Sequence, residues 1–175
     1  MSLRTLPLLL AITSSLAANA VQAATTGTLR FTGQVNAGTC NLAAGDENRT
    51  ITLPTIKISD LGATSSAGAF DFEISAECES DLRNVIFLFA GTASAGNATL
   101  FSNTGTSKGT ALRLLHRVSP AYAIPANGNA AQRSRTIASS SNKAVIPLTA
   151  TYHKTGAAIT QGTLASAVTV SITYN

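Results

Sequence analysis

Apolar and polar residues alternate along much of the chain. The clearest stretches are Leu29–Val35, Phe70–Cys78 and Leu164–Tyr174, in which every second residue is apolar or small. This period of two is typical of β-strands that bury one face. Asn84–Gly91 is continuously apolar, which predicts a strand that is buried on both faces or lies at the centre of a sheet. After residue 23, no stretch has the period of an amphipathic helix.

Three further segments complete the predicted set of strands. Ile51–Ile58 is interrupted by Pro54, which belongs at an edge or a bulge. Ala111–Val118 fits a strand or one helical turn, and Ala144–His153 fits a strand. Polar and glycine-rich connections separate the strands, at 45–48, 64–68, 91–110, 119–142 and 154–162. Seven or eight short strands without an internal repeat predict one all-β domain with a β-sandwich architecture.

The first 23 residues have the pattern of a signal peptide. Arg4 precedes a mostly apolar stretch, Leu6–Leu16, and small residues follow at the positions that signal peptidase recognises. Cleavage after Ala23 is favoured, and cleavage after Ala20 is the alternative. The apolar stretch is too short for a membrane span and contains Thr13–Ser15. We therefore expect residues 24–175 to be exported as the mature chain.

The chain contains two cysteines, Cys40 and Cys78. Because an exported protein passes through an oxidising compartment, an even pair of cysteines predicts one disulfide bond. A metal site is the alternative interpretation, and two cysteines this far apart are weak evidence for it.

Catalytic and cofactor-binding motifs are poorly supported. Ser140-Ser141-Asn142-Lys143 matches S-x-x-K and Lys154-Thr155-Gly156 matches K-T-G, but the helix that such a serine must open is not predicted here. His116 and His153 have neither a carboxylate partner pattern nor metal-ligand spacing. Scattered basic residues on an exported chain also argue against nucleic acid as a partner. We expect neither an enzyme nor a cofactor.

Leu29, Phe31, Gly33 and Val35 form one apolar face ahead of Cys40, near the start of the predicted mature chain. This segment resembles the N-terminal donor extension of the chaperone–usher pilins of the type 1 fimbrial family. At the other end, Gly162 and the penultimate Tyr174 flank an alternating strand, similar to the motif that such subunits present to their chaperone. The resemblance implies that the chaperone-binding residues are Gly162, Val168, Val170, Ile172, Tyr174 and Asn175.

The resemblance implies a fold and a mechanism. The expected fold is an incomplete immunoglobulin-like sandwich, with a donor extension at 24–36 and a pilin domain at 37–175. A periplasmic chaperone would fill the missing strand first, and the donor extension of another pilin subunit would replace it at the outer-membrane usher. The expected product is a surface fibre that serves adhesion and biofilm formation.

Two alternatives remain open at this stage. The chain could be a minor adaptor or tip-associated pilin, or a small secreted sugar-binding module with Tyr122 and Tyr152 as candidate contacts. The charge distribution suggests a further feature. Residues 24–81 contain all eight acidic residues and three basic ones, whereas residues 82–175 contain eight basic residues and no acidic one. If the two halves lie at opposite ends of a subunit, this asymmetry favours head-to-tail contact.

Overall fold

The computed structural model describes residues 28–175. The chain divides into two units, Met1–Val35 and Asn36–Asn175, which are described separately. The second unit consists almost entirely of strands, with two short helices. In chain order its elements are β1 (Cys40–Leu42), α1 (Ile58–Ala63), β2 (Ser66–Cys78), β3 (Asn84–Gly91), β4 (Ala93–Ser94), β5 (Asn97–Phe101), β6 (Thr110–His116), β7 (Tyr122–Ile124), α2 (Ala130–Arg133), β8 (Ser134–Ala138), β9 (Lys143–Lys154) and β10 (Val168–Tyr174).

The strands of the second unit form two antiparallel sheets. The larger sheet has the order β1-β2-β9-β6-β5-β4, with β7 also paired to β6, and the smaller has the order β10-β3-β8. Their inner faces meet in one apolar core, in which Val85, Phe87 and Phe89 of β3 are fully buried. Ile146 and Leu148 of β9 are buried in the same core from the larger sheet. The prediction of an all-β sandwich is therefore confirmed.

Three predicted strands lie where the pattern placed them. β2 contains Phe70–Cys78, β9 contains Ala144–His153, and β3 has the predicted bounds Asn84–Gly91. β3 is central in its sheet, as expected. Only one of its faces is fully buried, however, because Ile86 and Leu88 on the other face are half-buried.

The prediction of a strand at Ile51–Ile58 is wrong. Residues 51–57 have no regular structure, and Ile58 begins the helix α1. Pro54 lacks the N–H that a sheet ladder requires. The carboxylate of Asp60 accepts a hydrogen bond from the backbone N–H of Lys57 at 2.8 Å, which satisfies one free donor at the start of the helix.

Several connections contain more structure than the sequence indicated. The 91–110 connection contains β4 and β5, and its Leu100 and Phe101 are buried. The 119–142 stretch contains β7, α2 and β8, although it was expected to be irregular. The predicted turn at 64–68 is largely the start of β2, where the ladder with β9 shifts register between Ala67 and Phe70.

The predicted disulfide bond is present. Cys40 and Cys78 are directly opposite each other in the β1–β2 ladder, and their Cα atoms are 4.1 Å apart. Both cysteines are buried in the core. The bond closes a loop with a sequence separation of 38, which stabilises the fold by about 4 kcal/mol on the chain-entropy account.

The segment that leads into β10 is held by side-chain contacts together with three backbone hydrogen bonds, outside any regular ladder. Asn103 Nδ2 lies 2.9 Å from the carbonyl of Ser107 and 3.3 Å from that of Thr163, and its Oδ1 accepts from the N–H groups of Gly105 at 2.7 Å and Ala165 at 2.9 Å. We call this set of contacts between residues 103–108 and 160–165 the clasp. The clasp fixes the chain immediately before β10 begins.

Close backbone packing in the clasp also explains a glycine. Gly162 has a φ of +153°, and a Cβ built there would overlap the backbone of Ser107. Next to it, Thr106 and Thr163 exchange hydrogen bonds, each backbone N–H donating to the other hydroxyl at 3.1 and 2.9 Å. Gly162 is thus required for close packing inside the subunit.

A buried histidine makes stability depend on pH. His116 lies in β6 opposite Tyr122 of β7 and Leu148 of β9, and its side chain is buried. Burial first, and then the positive charge of Arg135, lower the pKa of His116 below its ordinary value of 6.5. The unfolded chain therefore binds a proton at a higher pH than the folded chain does.

The free energy of unfolding should consequently fall as the pH drops below about 6.5, by up to about 1.4 kcal/mol per pH unit. We expect His116→Gln to remove this dependence, measured by urea denaturation between about pH 7 and pH 5. His153→Gln replaces the other histidine of the chain and is the matched control. Identical slopes for His116→Gln and the unsubstituted protein would contradict the assignment.

Asn103→Ala should destabilise the fold by about 1–2 kcal/mol, because it removes both acceptor bonds and leaves the part-buried N–H of Gly105 without its partner, whereas the exposed N–H of Ala165 can bond to water. Chemical denaturation of the oxidised mature chain measures the loss. Asn97→Ala is the control, since Asn97 Oδ1 accepts only from nearby Thr99 at the surface. A similar small loss in both variants would show that the clasp contributes little.

Candidate functional site

The last strand of the chain is an unprotected sheet edge. β10 pairs with β3 from Val168↔Gly91 to Tyr174↔Val85, and no strand of the described residues 28–175 pairs with its other edge. The sequence pattern predicted a strand from Leu164, but the strand begins four residues later, at Val168. An unpaired edge presents backbone donors and acceptors to any chain that can lie beside it.

The side chains beside this edge are apolar and only half-buried. Val168, Val170 and Ile172 alternate on one face of β10 and pack against the buried core, as Leu164 does ahead of the strand. Thr169, Ser171 and Thr173, on the opposite face, are exposed. The apolar face of β10 is therefore attached to the core on one side and accessible on the other.

β1 forms the opposite lip of this opening. It comes within 8 Å of β10, Cα to Cα, yet its ladder joins it to β2 alone. Leu42 of β1 is half-buried against the same core. We call the opening the groove and define it by Leu42, Leu164, Val168, Val170 and Ile172. The two sheets are thus not closed along this side.

Four of the predicted chaperone-binding residues lie together along the groove. Val168, Val170, Ile172 and Tyr174 occupy alternate positions of β10, and the Tyr174 side chain is 39% exposed. Asn175 exchanges backbone hydrogen bonds with Asn84 and accepts another from Arg83 N–H at 3.0 Å. The sixth residue, Gly162, lies in the clasp, outside the strand.

The predicted donor residues are not part of the core. No strand is assigned to residues 28–39. Leu29, Phe31 and Val35 are 81, 89 and 99% exposed, and a Cβ built at Gly33 would meet nothing within 4 Å. Residues 24–27 of the predicted extension, and the predicted signal peptide, lie outside the described residues.

Sequence reasoning missed two residues that shape the groove, Asn103 and Leu42. Asn103 fixes the segment leading to β10, but its partners are as many as 62 positions away in sequence. Leu42 lies on the short strand β1, three residues long, which has too few positions to show a period. No local signal indicates either residue, because their roles depend on long-range contacts.

The S-x-x-K match has a structural explanation. Ser140 and Lys143 exchange backbone hydrogen bonds at 2.9 and 3.0 Å, and Ser141 and Asn142 between them have φ values of 51° and 62°. This is the geometry of a two-residue hairpin turn with positive φ at both central positions, so the serine does not open a helix. Within residues 28–175, no group of three His, Cys, Asp or Glu side chains is placed to hold a metal ion.

A shallow cleft elsewhere on the surface has a basic lining. It measures about 890 Å³, and its lining includes Arg113, Tyr122, Arg135 and His153 but no acidic residue. The guanidinium of Arg135 donates to the carbonyls of Ala123 and Gln132 at 2.9 and 3.0 Å. Burial lowers the pKa of Arg135 from its usual value. Its guanidinium thus serves to position the backbone around it.

Comparison with known proteins gives one consistent family. The family model described as "Fimbrial protein" matches residues 29–175. The type-1 fimbrial protein A chain of Escherichia coli (strain K12) is 29% identical over 187 residues, which cover 99% of this chain and 100% of that protein. A type-1 fimbrial protein subunit of Serratia marcescens is 32% identical over 100 residues, covering 55% of this chain and 53% of that protein.

Solved structures support the same fold. The P pilus rod subunit PapA superposes with a TM-score of 0.63 at 19% identity, covering 78% of this chain and 99% of that one. A chaperone-usher pilus studied for rod uncoiling gives a TM-score of 0.62 at 19% identity, covering 86% and 96%. The predicted immunoglobulin-like pilin fold is thereby confirmed. Within residues 28–175, no helix is long and apolar enough to cross a membrane.

The match over residues 29–175 and the full-length similarity show that this chain belongs to the fimbrial protein family, whose members are structural subunits of extracellular pili.

Proposed function

We propose that the groove accepts the segment Leu29–Val35 of a neighbouring pilin subunit, and that the chain polymerises head-to-tail into a surface fibre in this way. The observation that supports the proposal is a complementary pair on one chain. An apolar strand edge is open beside the core, and an apolar face ahead of the first cysteine is exposed. β10 has seven residues, which is also the length of Leu29–Val35.

The energetics favour such an exchange. Burying Leu29, Phe31 and Val35 in a neighbour contributes about 5–8 kcal/mol before ordering costs, at roughly 1.5–3 kcal/mol for each side chain. Main-chain hydrogen bonds along β10 add affinity, and the alternation of side chains sets the register. Gly33 fits a position where the donor backbone approaches the groove closely.

Antiparallel pairing of the donor segment with β10 is the favoured direction. Antiparallel strand pairs outnumber parallel ones roughly two- to three-fold and are slightly more stable per residue. In this arrangement Val35 of the donor lies beside Val168 at the start of β10, and Leu29 lies near Tyr174 at its end. The direction matters because it decides which end of the donor subunit reaches the neighbour.

Before assembly, a periplasmic chaperone strand would occupy the groove. An unpaired edge next to a half-buried apolar row promotes aggregation unless it is covered. Tyr174 and Asn175, at one end of the groove, would contact such a chaperone. We infer export through the periplasm after removal of residues 1–23, assembly at an outer-membrane usher, and a role of the fibre in adhesion and biofilm formation. The function is structural, without an enzymatic step or cofactor.

Phe31→Asp should abolish fibre formation and leave the yield of chaperone-bound subunit unchanged. A charge without a partner in the apolar groove costs several kcal/mol, whereas the subunit's own core does not include Phe31. Fibre assembly and chaperone-bound yield are measured together for each variant.

Thr32→Asp is the matched control, because it introduces the same charge on the polar face of the same segment and should still form fibres. Loss of both fibres and subunit yield in Phe31→Asp would mean that the segment is an internal strand, and the donor proposal would be wrong.

Tyr174→Ala should weaken capture by the chaperone and lead to degradation of the subunit in the periplasm. Its side chain lies on the groove face of β10, beside Ile172. Co-purification with the chaperone is the measurement, and Thr173→Ala, on the exposed opposite face, is the control. Unchanged co-purification of Tyr174→Ala would exclude this residue from the chaperone contact.

A further inference from the structure

Three acidic residues surround the point at which the chain enters the second unit. Glu77 lies near the end of β2, and Glu79 and Asp81 lie in the turn that follows. The N–H of Gly38 donates to Asp81 Oδ2 at 2.8 Å, and Thr39 exchanges contacts with Glu79. We call Glu77, Glu79 and Asp81 the acidic collar.

The collar is built closely against the chain. Gly38 is buried, and a Cβ built there would overlap the carboxylate of Asp81. Gly38 is three residues beyond Val35, the last predicted donor position. Since three extended residues span about 10 Å, the collar lies close to the root of the donor segment.

Three lysines lie at the opposite end of the sandwich. β2 runs from Ser66, opposite His153, to Glu77, opposite Lys143, a distance of roughly 35 Å at the usual rise per residue. Lys154 follows His153, and Lys108 lies two residues before Thr110, which pairs with Lys154. Together with Lys57, we call Lys108 and Lys154 the basic rim.

Two residues of the rim, Lys57 and Lys108, lie near Thr160, ahead of the segment that leads into the groove. The Lys108 N–H donates to the Thr160 hydroxyl at 2.8 Å, and the Thr160 N–H donates to the Lys108 carbonyl at 3.2 Å. Thr160 lies just ahead of the segment that leads into β10. Lys57 lines a cleft of about 530 Å³ together with Thr160 and Gly162. In the described part of the chain, none of the three ammonium groups has a carboxylate within ion-pair distance.

Other charges at the two ends do not cancel this arrangement. Arg83 and Lys143 accompany the three acids of the collar, and Asp60 accompanies the three lysines of the rim. Between the ends, Arg117 lies 3.6 and 3.5 Å from the carboxylates of Asp71 and Glu73. Arg117 is therefore paired within the subunit, and three of the four lysines of residues 28–175 lie at the rim end, the fourth being Lys143 at the collar end.

We propose that the acidic collar of one subunit docks against the basic rim of the next. The inference rests on the proposed donor exchange, in which Val35 reaches the start of β10 and brings the collar to the rim. A parallel donor would instead bring the collar to the collar of its neighbour, and like charges would repel. The charges thus select one direction of insertion and accelerate encounter between subunits. At physiological ionic strength their range is about 8 Å, so assembly depends on salt.

Charge reversal tests the contact on the mature chain. Reversing the collar (Glu77→Lys with Glu79→Lys) or the rim (Lys108→Glu with Lys154→Glu) should slow polymerisation about ten-fold, within the range known for electrostatic steering. The rate is measured on gels, at low and high salt, as the growth of a ladder of polymers that resist SDS. The variant that combines all four changes should recover to within about three-fold of the unsubstituted rate, because opposite charges again meet at every junction.

The control is Lys143→Glu, an exposed lysine at the collar end, which should not slow assembly. If a reversed pair fails to fold, Glu77→Gln and Lys154→Gln replace it, and each should slow assembly at low salt more than at high salt. The proposal would be overturned if the reversed pairs assembled at the unsubstituted rate. It would also be overturned if the variant with all four changes were as slow as either pair. Phe31→Asp is assayed in parallel: if it still blocks assembly, only the charge contact is wrong, whereas normal assembly of that variant would refute the donor exchange itself.

Discussion

The groove depends on the unpaired edge of β10. A strand can be stable with one free edge only if other contacts fix it, because an isolated edge strand is held by half the usual ladder. In this chain the ladder with β3 holds the whole strand from Val168 to Tyr174. The ladder consequently holds β10 in place, and its apolar face stays accessible from the groove. The features on both sides of the groove can be understood from this requirement.

Each lip of the groove is anchored on the side away from the opening. The disulfide joins β1 to β2 at Cys40 and Cys78, so the short strand β1 keeps its place despite having a single ladder partner. The clasp joins the segment before β10 to residues 103–108 through the two ends of the Asn103 amide. The two lips are thus fixed independently of each other.

The sequence predicted those strands whose faces differ clearly in polarity. β2, β3 and β9 are long and border the core, so burial imposes a pattern on their residues. β8 was missed because its residues, Ser134–Ala138, are mostly polar, and it is a strand because it pairs with β3. Ile51–Ile58 has the opposite property: its β-branched residues favour a strand, but Pro54 and the Asp60 contact do not allow one.

For the candidate site, the pattern predicted the two apolar faces but not their relation. Period-two alternation in Leu29–Val35 and in Val168–Tyr174 says that each segment buries one face, and it cannot say in which molecule. That step came from resemblance to a family of subunits, and it stays a proposal, with which the exposure of Leu29, Phe31 and Val35 agrees. Asn103 and Leu42 could not be predicted, because their contacts join distant parts of the chain.

Gly33, Gly38 and Gly162 show how one residue type serves three different constraints around the same groove. A Cβ at Gly162 would collide with the backbone of the clasp, and a Cβ at Gly38 would overlap the Asp81 carboxylate and the Glu79 Cβ, so packing within the subunit accounts for both glycines. At Gly33 a Cβ would meet nothing within 4 Å. Its presence in the middle of an apolar face is therefore unexplained by packing within the subunit. In the proposed donor exchange, a close approach of this backbone to the groove of a neighbour would account for the glycine.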